Sequence, residues 1–364
     1  MTESRLQTLY DIIARANLDA VALIPGPNLQ YITHTDFHLM ERPLVVFFMP
    51  GRDPVAVASA REVDRLAESG IPFKVFPWTD SEGYAGAFAA AAGDLNLGGK
   101  RLGVEELRMR VLESDIIQEL MAGIRLVHGG DALAELRLRK DADAIASLRA
   151  AIAISEGALH ACLAAIRPGM TELQVIGIAQ REIYKHGGEY EGHALYCFSG
   201  PGTKHAISRP THTKLKRNEI IQLNIGARVG GYSSSVGLPC SIGKLPPRKK
   251  RLVEFGLEAH IKTFELMRGG KPAAEVVREY EEWVERRGFR KYMLYGPCHG
   301  IGMMEVERPW MESTSTYTLQ ENMTFQVDTF FQDKDFGLRW ENGARITKTG
   351  VERLSKQFQR IVEL

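Results

Sequence analysis

Phe325-Gln-Val-Asp-Thr-Phe-Phe331 is a short β-like run. It is one of three, with Ile220-Ile-Gln-Leu-Asn-Ile225 before it and Ala344-Arg-Ile-Thr347 after it. A helical block over about Lys250–Arg287 lies between the first run and the second. Further upstream, Ile145, Leu148, Ile152, Leu159, Leu163 and Ile166 form one apolar stripe of a long helix, which Arg167-Pro-Gly169 ends. A second helix follows Thr171-Glu172, with Leu173, Ile176 and Ile183 inward. Helices first and strands after predict an α+β domain in which helices back an antiparallel sheet.

The pattern ahead of this region is different. Leu6, Leu9, Ile12 and Ile13 recur at helical spacing, and Ala20–Ile24 is a short strand stopped by Pro25-Gly26-Pro27. Leu44–Met49, Pro54–Ala58 and Phe73–Phe76 are short apolar runs, with helical stretches at Arg61–Glu68, Gly83–Ala92 and Leu112–Ala122. Alternating strands and helices predict an α/β domain over residues 1–130. It closes near His128-Gly-Gly130, and the α+β domain takes residues 131–364.

Composition narrows the function classes. The 364 residues carry 46 Lys+Arg against 45 Asp+Glu, a net charge of +1. That balance argues against a nucleic-acid partner bound by neutralising phosphates. No apolar run approaches the roughly 18 residues of a membrane span, so no membrane partner is expected. The stretch Met1–Leu6 has an acid and no apolar core, unlike a signal peptide. Cys162, Cys197, Cys240 and Cys298 are widely spaced with no CxxC, which fits a reducing cytoplasm. Gly296-Pro-Cys298-His299-Gly300 has the GxCxG spacing of a nucleophile turn, but sequence neighbours rarely point at each other. Ser233-Ser-Ser235 lacks a GxSxG frame, so a serine nucleophile is not expected. The basic run Pro246-Pro-Arg-Lys-Lys-Arg251 reads as the solvated start of a helix.

Several segments together resemble the pita-bread peptidase family of Xaa-Pro aminopeptidases, prolidases, methionine aminopeptidases and creatinase. They are Arg139-Lys140, Ile166–Glu172, Phe198-Ser-Gly200, Ile220–Gly226 with Gly230–Ser234, His299-Gly-Ile-Gly302 with Glu307-Arg-Pro309, Asn322–Phe325 and Gly337–Glu341. Asn28–Ile32 and Glu41-Arg42 resemble the N-terminal domain of the prolidase and creatinase branch. The resemblance implies a creatinase/prolidase-like α/β N-terminal domain plus an α+β pita-bread C-terminal domain.

Family peptidases hold two divalent cations through two Asp, one His and two Glu. Carried over by position, the two Asp fall on Asn224 and Ser235, the His on His299, and the two Glu on Asp328 and Glu341. Neutral ligands cannot balance two cations sharing a water, so the dinuclear centre is not expected. His299, Asp328 and Glu341 remain as one possible site for a single Zn, Mn or Fe ion, or as a metal-free hydrogen-bonded network. The family's two substrate-contacting histidines fall on Ile207 and Val306. Creatinase, a metal-free relative, uses the first of them, so its mechanism does not transfer. His205, two residues away on an extended strand, would face the same cavity.

The catalytic candidates are therefore His299, His205, Glu307 and Arg339, the last facing a substrate carboxylate or a structural ion-pair partner. The resemblance also implies a homodimer. Phe37, His38, Glu41 or Arg42 of one chain then reaches the partner's cavity, or lies on an ordinary surface loop. The leading expectation is a hydrolase of a C–N bond in a small peptide, amide or amidine, using one metal or none. The alternatives are a non-catalytic pita-bread binding protein and a metal-retaining Xaa-Pro dipeptidase.

Overall fold

The computed structural model describes residues 2–356 and 360–364; Met1 and residues 357–359 lie outside them. The chain divides into two compact units, Met1–Arg137 and Leu138–Leu364. The boundary read near residue 130 falls at the start of a helix, Gly130–Leu138.

In the first unit the elements run α1 (Thr2–Arg15), β1 (Ala20–Leu23), α2 (Pro27–Thr33), β2 (Val45–Phe48), β3 (Val55–Ser59), α3 (Val63–Glu68), β4 (Lys74–Trp78), α4 (Ala85–Leu95), β5 (Arg101–Val104), α5 (Val111–Leu120), β6 (Arg125–His128) and α6 (Gly130–Leu138). Six strands form one sheet in the order β4-β3-β2-β1-β5-β6. The β1–β5, β5–β6 and β3–β4 pairs are parallel, and β2 runs antiparallel to both its neighbours. Strands β1, β2 and β3 are buried along their whole length, as a sheet covered on both faces requires. Their continuous apolar runs are why they stand out in the sequence.

The second unit begins with α7 (Ala142–Ala165) and α8 (Glu172–Lys185). Then come β7 (Tyr196–Ser199), β8 (Ile221–Ile225), β9 (Arg228–Val229), β10 (Tyr232–Ser233) and β11 (Val236–Ser241). The helices α9 (Pro247–Leu266) and α10 (Ala273–Arg286) follow, so the single helical block read from the sequence is broken between Met267 and Pro272. The chain closes with β12 (Cys298–Gly300), β13 (Glu307–Met311), β14 (Thr324–Gln332), β15 (Gly337–Ile346), β16 (Val351–Arg353) and β17 (Val362–Glu363). Seven strands lie in the order β13-β12-β14-β15-β11-β8-β7, every neighbouring pair antiparallel.

The sequence reading found no run of spanning length, yet α7 is long and apolar enough, by length and composition, to cross a membrane. In the fold its apolar side packs into the core instead. Ile152, Ala158, Leu159, Cys162 and Leu163 join Leu223, Ile225, Val236 and Leu238 of the sheet in one buried cluster. Asp141 caps α7 by accepting from the Ala144 amide, and Thr171 with Gln174 closes a capping box on α8. From α9, the buried His260 bridges two sheet residues, Thr329 Oγ1 at 3.2 Å and Asn342 Oδ1 at 2.8 Å. Burial lowers its pKa from 6.5 to about 4.

Candidate functional site

The site grows from the sheet register. Strands β14 and β15 pair along nine residues, setting Asp328 opposite Glu341. Gly237 of β11 pairs with Glu341 on one side and Asn224 of β8 on the other. This glycine is needed: a Cβ there would stand 2.3 Å from the Asn224 amide nitrogen. His299 on β12 pairs with Gln326 of β14 and completes the group. Ligand atoms of His299, Asp328 and Glu341 all lie within 4.8 Å of one another, the one such group among the described residues.

The amide of Asn224 faces Glu341 with its nitrogen, and the orientation is locked. The backbone N–H of Arg339 donates to Gln222 Oε1 at 2.7 Å, which turns Gln222 Nε2 toward the Arg339 carbonyl at 3.0 Å and toward Asn224 Oδ1 at 2.9 Å. With its oxygen accepting from Gln222, Asn224 points Nδ2 at Glu341 and donates to it. The Ser235 hydroxyl also bonds Glu341. Burial, and then the neighbouring Asp328, push the Glu341 carboxyl well above the usual carboxylate range.

Asp328 has its own partners. Tyr295 donates its phenol to Oδ2 at 2.8 Å, and Arg339 Nε stands 3.0 Å from Oδ1, off the hydrogen-bond axis. Arg339 Nη2 donates to the Tyr295 hydroxyl at 2.7 Å and to the Ala206 carbonyl at 2.9 Å. The guanidinium lies 5.8 Å from the Tyr196 ring centre and 5.4 Å from that of Phe330. Burial works against the charge on Arg339, but Asp328, Tyr295 and Glu341 outweigh it and raise its pKa.

Other candidates from the sequence sit in different surroundings. Glu307 is buried and accepts from Lys140 Nζ at 2.8 Å, each side chain being 3% exposed. His205 is exposed at the end of a 3-10 turn, Gly200–Lys204, rather than on the extended strand expected for it. Ile207 is 79% exposed, and Val306 is also exposed. In the first unit Phe37 is buried under Arg65, His38 is exposed, and Arg42 pairs with Asp80 and Glu41. Cys298 is buried against Met267 Sδ at 3.8 Å, and burial pushes its thiol well up, so it is no thiolate.

His193 was missed by sequence reasoning. It lies in the loop after α8, where no periodicity marks it. Its Nε2 meets Ser235 Oγ at 3.0 Å, and its Nδ1 lies 2.7 Å from the Ala194 carbonyl and 3.8 Å from Glu305 Oε1. The faint signal was Gly226, which ends the β8 run: a Cβ there would stand 2.5 Å from the imidazole Cδ2.

Comparisons with known proteins fit this architecture. Residues 146–349 match the model of metallopeptidase family M24, and residues 5–139 match that of the creatinase/prolidase N-terminal domain. A Xaa-Pro dipeptidase of Pyrococcus horikoshii is 22% identical over 98% of each chain. A prolidase structure from Thermococcus sibiricus superposes with a TM-score of 0.94 at 21% identity, covering 100% of this chain and 99% of that one. A Xaa-Pro dipeptidase structure from Bacillus anthracis gives 0.89 at 19% identity, with both chains covered in full. The sheet of β7, β8, β11, β12, β13, β14 and β15 is thus the pita-bread sheet, and the chain belongs to metallopeptidase family M24.

Proposed function

We propose that this chain hydrolyses a C–N bond of a small peptide, amide or amidine with at most one divalent cation, and that ordinary dinuclear Xaa-Pro dipeptidase activity is absent. The observation that carries the reading is the Asn224 amide. A metal ligand must present a lone pair, yet Asn224 presents N–H to Glu341, and its oxygen is used by Gln222. Ser235 is likewise engaged, by His193. Two cations therefore do not fit this side-chain set. The set His299, Asp328 and Glu341 converges closely enough for one ion of the Zn, Mn or Fe class. Such an ion would supply Lewis-acid polarisation and an acidified water.

The chain's own groups supply the rest. His299 Nδ1 lies 2.9 Å from the Gly300 carbonyl, so that nitrogen carries the hydrogen and the Nε2 lone pair serves the ion or, in its absence, accepts a proton from substrate or water. Arg339 and Tyr295 hold Asp328 in place. Glu307, neutralised by Lys140, acts by fixing the β12–β13 turn. We also propose a cytoplasmic homodimer without nucleic-acid or membrane partners. The four free, buried cysteines and the net charge of +1 support that reading.

Elemental analysis of the purified protein, beside a panel of Xaa-Pro dipeptides and small amides and amidines, tests the function. The expected result is no more than one cation per chain, turnover of an amide or amidine, and negligible dipeptide hydrolysis with manganese or cobalt. Two cations per chain, or brisk dipeptide turnover, would overturn it. Light scattering tests the dimer.

A further inference from the structure

We propose that Ser235 and His193 are a nucleophile–base pair, so that hydrolysis passes through a covalent acyl ester on Ser235. The substrate class rests on the C–N hydrolase reading above; the pair itself rests on geometry.

The Ser235 Oγ to His193 Nε2 distance of 3.0 Å is within the reach required of a serine and its base. The hydrogen positions follow from the partners. A carbonyl only accepts, so the 2.7 Å contact with Ala194 places a hydrogen on Nδ1. In the neutral ring Nε2 is then a lone pair, and it faces the serine hydroxyl. Glu305 Oε1, 3.8 Å from Nδ1, is placed to balance the charge when the ring takes the serine proton. The pair is therefore a serine–histidine dyad whose base is oriented by a backbone carbonyl, with a carboxylate nearby.

The ring is also held by shape. Its side chain is 3% exposed, Tyr196 stands edge-on at 5.5 Å between ring centres, and Gly226 leaves the room that a Cβ would fill at 2.8 Å from Nε2. On its other side Oγ adjoins Glu341, so the serine borders the His299–Asp328–Glu341 cluster.

The step balances without a metal or an oxidant. Oγ adds to the scissile carbonyl carbon while its proton moves to Nε2. The C–N bond then breaks, and the Nε2 proton goes to the leaving nitrogen. Water next adds to the ester carbonyl, giving its proton to Nε2. The acid departs, and that proton returns to Oγ. Ser235 carries no exposed surface, so acylation requires the segments packed over it to open.

The test is to treat the full-length protein with a fluorophosphonate probe and locate the adduct by peptide mass spectrometry. One adduct is expected, on Ser235, absent from Ser235→Ala and formed at least ~100-fold more slowly in His193→Gln. No adduct, or one elsewhere, overturns the proposal. Ser235→Cys gives a reading that does not depend on His193→Gln folding. Its new thiol is expected to alkylate with iodoacetamide at least ~10-fold faster than the four buried native cysteines, and equal rates overturn the proposal. The amide and amidine panel separates the two readings. Undiminished turnover by Ser235→Ala overturns the nucleophile and leaves C–N hydrolysis standing. Labelling of Ser235 without C–N turnover supports the nucleophile and overturns the C–N assignment.

Discussion

Acidifying the protein from neutral pH to about pH 4 is expected to remove about 3 kcal/mol of stability through His260 alone. His260 is buried on α9 between Thr329 and Asn342, and its native pKa falls from 6.5 to about 4. The unfolded chain binds a proton at the ordinary value, whereas the native protein resists it until about pH 4. Stability from this residue is therefore complete above the ordinary value and drains away as pH falls to the native one. A gap of about 2.5 units at 1.36 kcal/mol per unit gives the figure of about 3 kcal/mol. Urea unfolding followed by tryptophan fluorescence, with Trp340 buried in the second unit, measures it across pH. Other carboxylates and histidines also titrate in this range, so the comparison is with His260→Gln, in which they remain. The stability difference between wild type and variant should narrow by about 3 kcal/mol on acidification. A difference that stays constant with pH would refute the claim that burial holds this ring neutral.

Three further outcomes can be checked by the same unfolding assay. Glu307→Gln removes the carboxylate that the buried Lys140 ammonium meets at 2.8 Å and should cost about 3–5 kcal/mol; replacing both residues by Met should recover most of it. Asn224→Asp sets a carboxylate against Glu341 in place of an N–H donor, so the midpoint should fall in chelator and rise again with millimolar manganese. Thr171→Ala removes the capping box of α8 and should lower stability by about 1 kcal/mol.

Regular patterns were legible in the sequence, while partnerships between distant segments were not. The stripe from Ile145 to Ile166 became α7, and the three β-like runs became β8, β14 and β15, because burial of one face imposes a period. His299, Asp328 and Glu341 could be picked out by position, and they do converge. The Lys140–Glu307 pair could not be read, because its members are far apart and each looks like a surface charge until the fold buries it. His193 was hidden for the opposite reason. It sits in a loop whose path follows from long-range contacts, and its value comes from a serine supplied by another segment. Ser235 lacks a GxSxG frame, and its pairing with His193 arises from the fold alone. His205 follows the 3-10 turn Gly200–Lys204 with an extended backbone of its own, but no strand forms around it.

The pairing of Gly237 with Glu341 joins strands more than a hundred residues apart in sequence. Loop closure on that scale is slow, and little is gained until both strands have docked. The stretch of sheet that carries Asn224 and Glu341 is therefore among the last parts to assemble. A chain interrupted before β15 would display an unzipped edge at β11, open to strand-by-strand association with other copies.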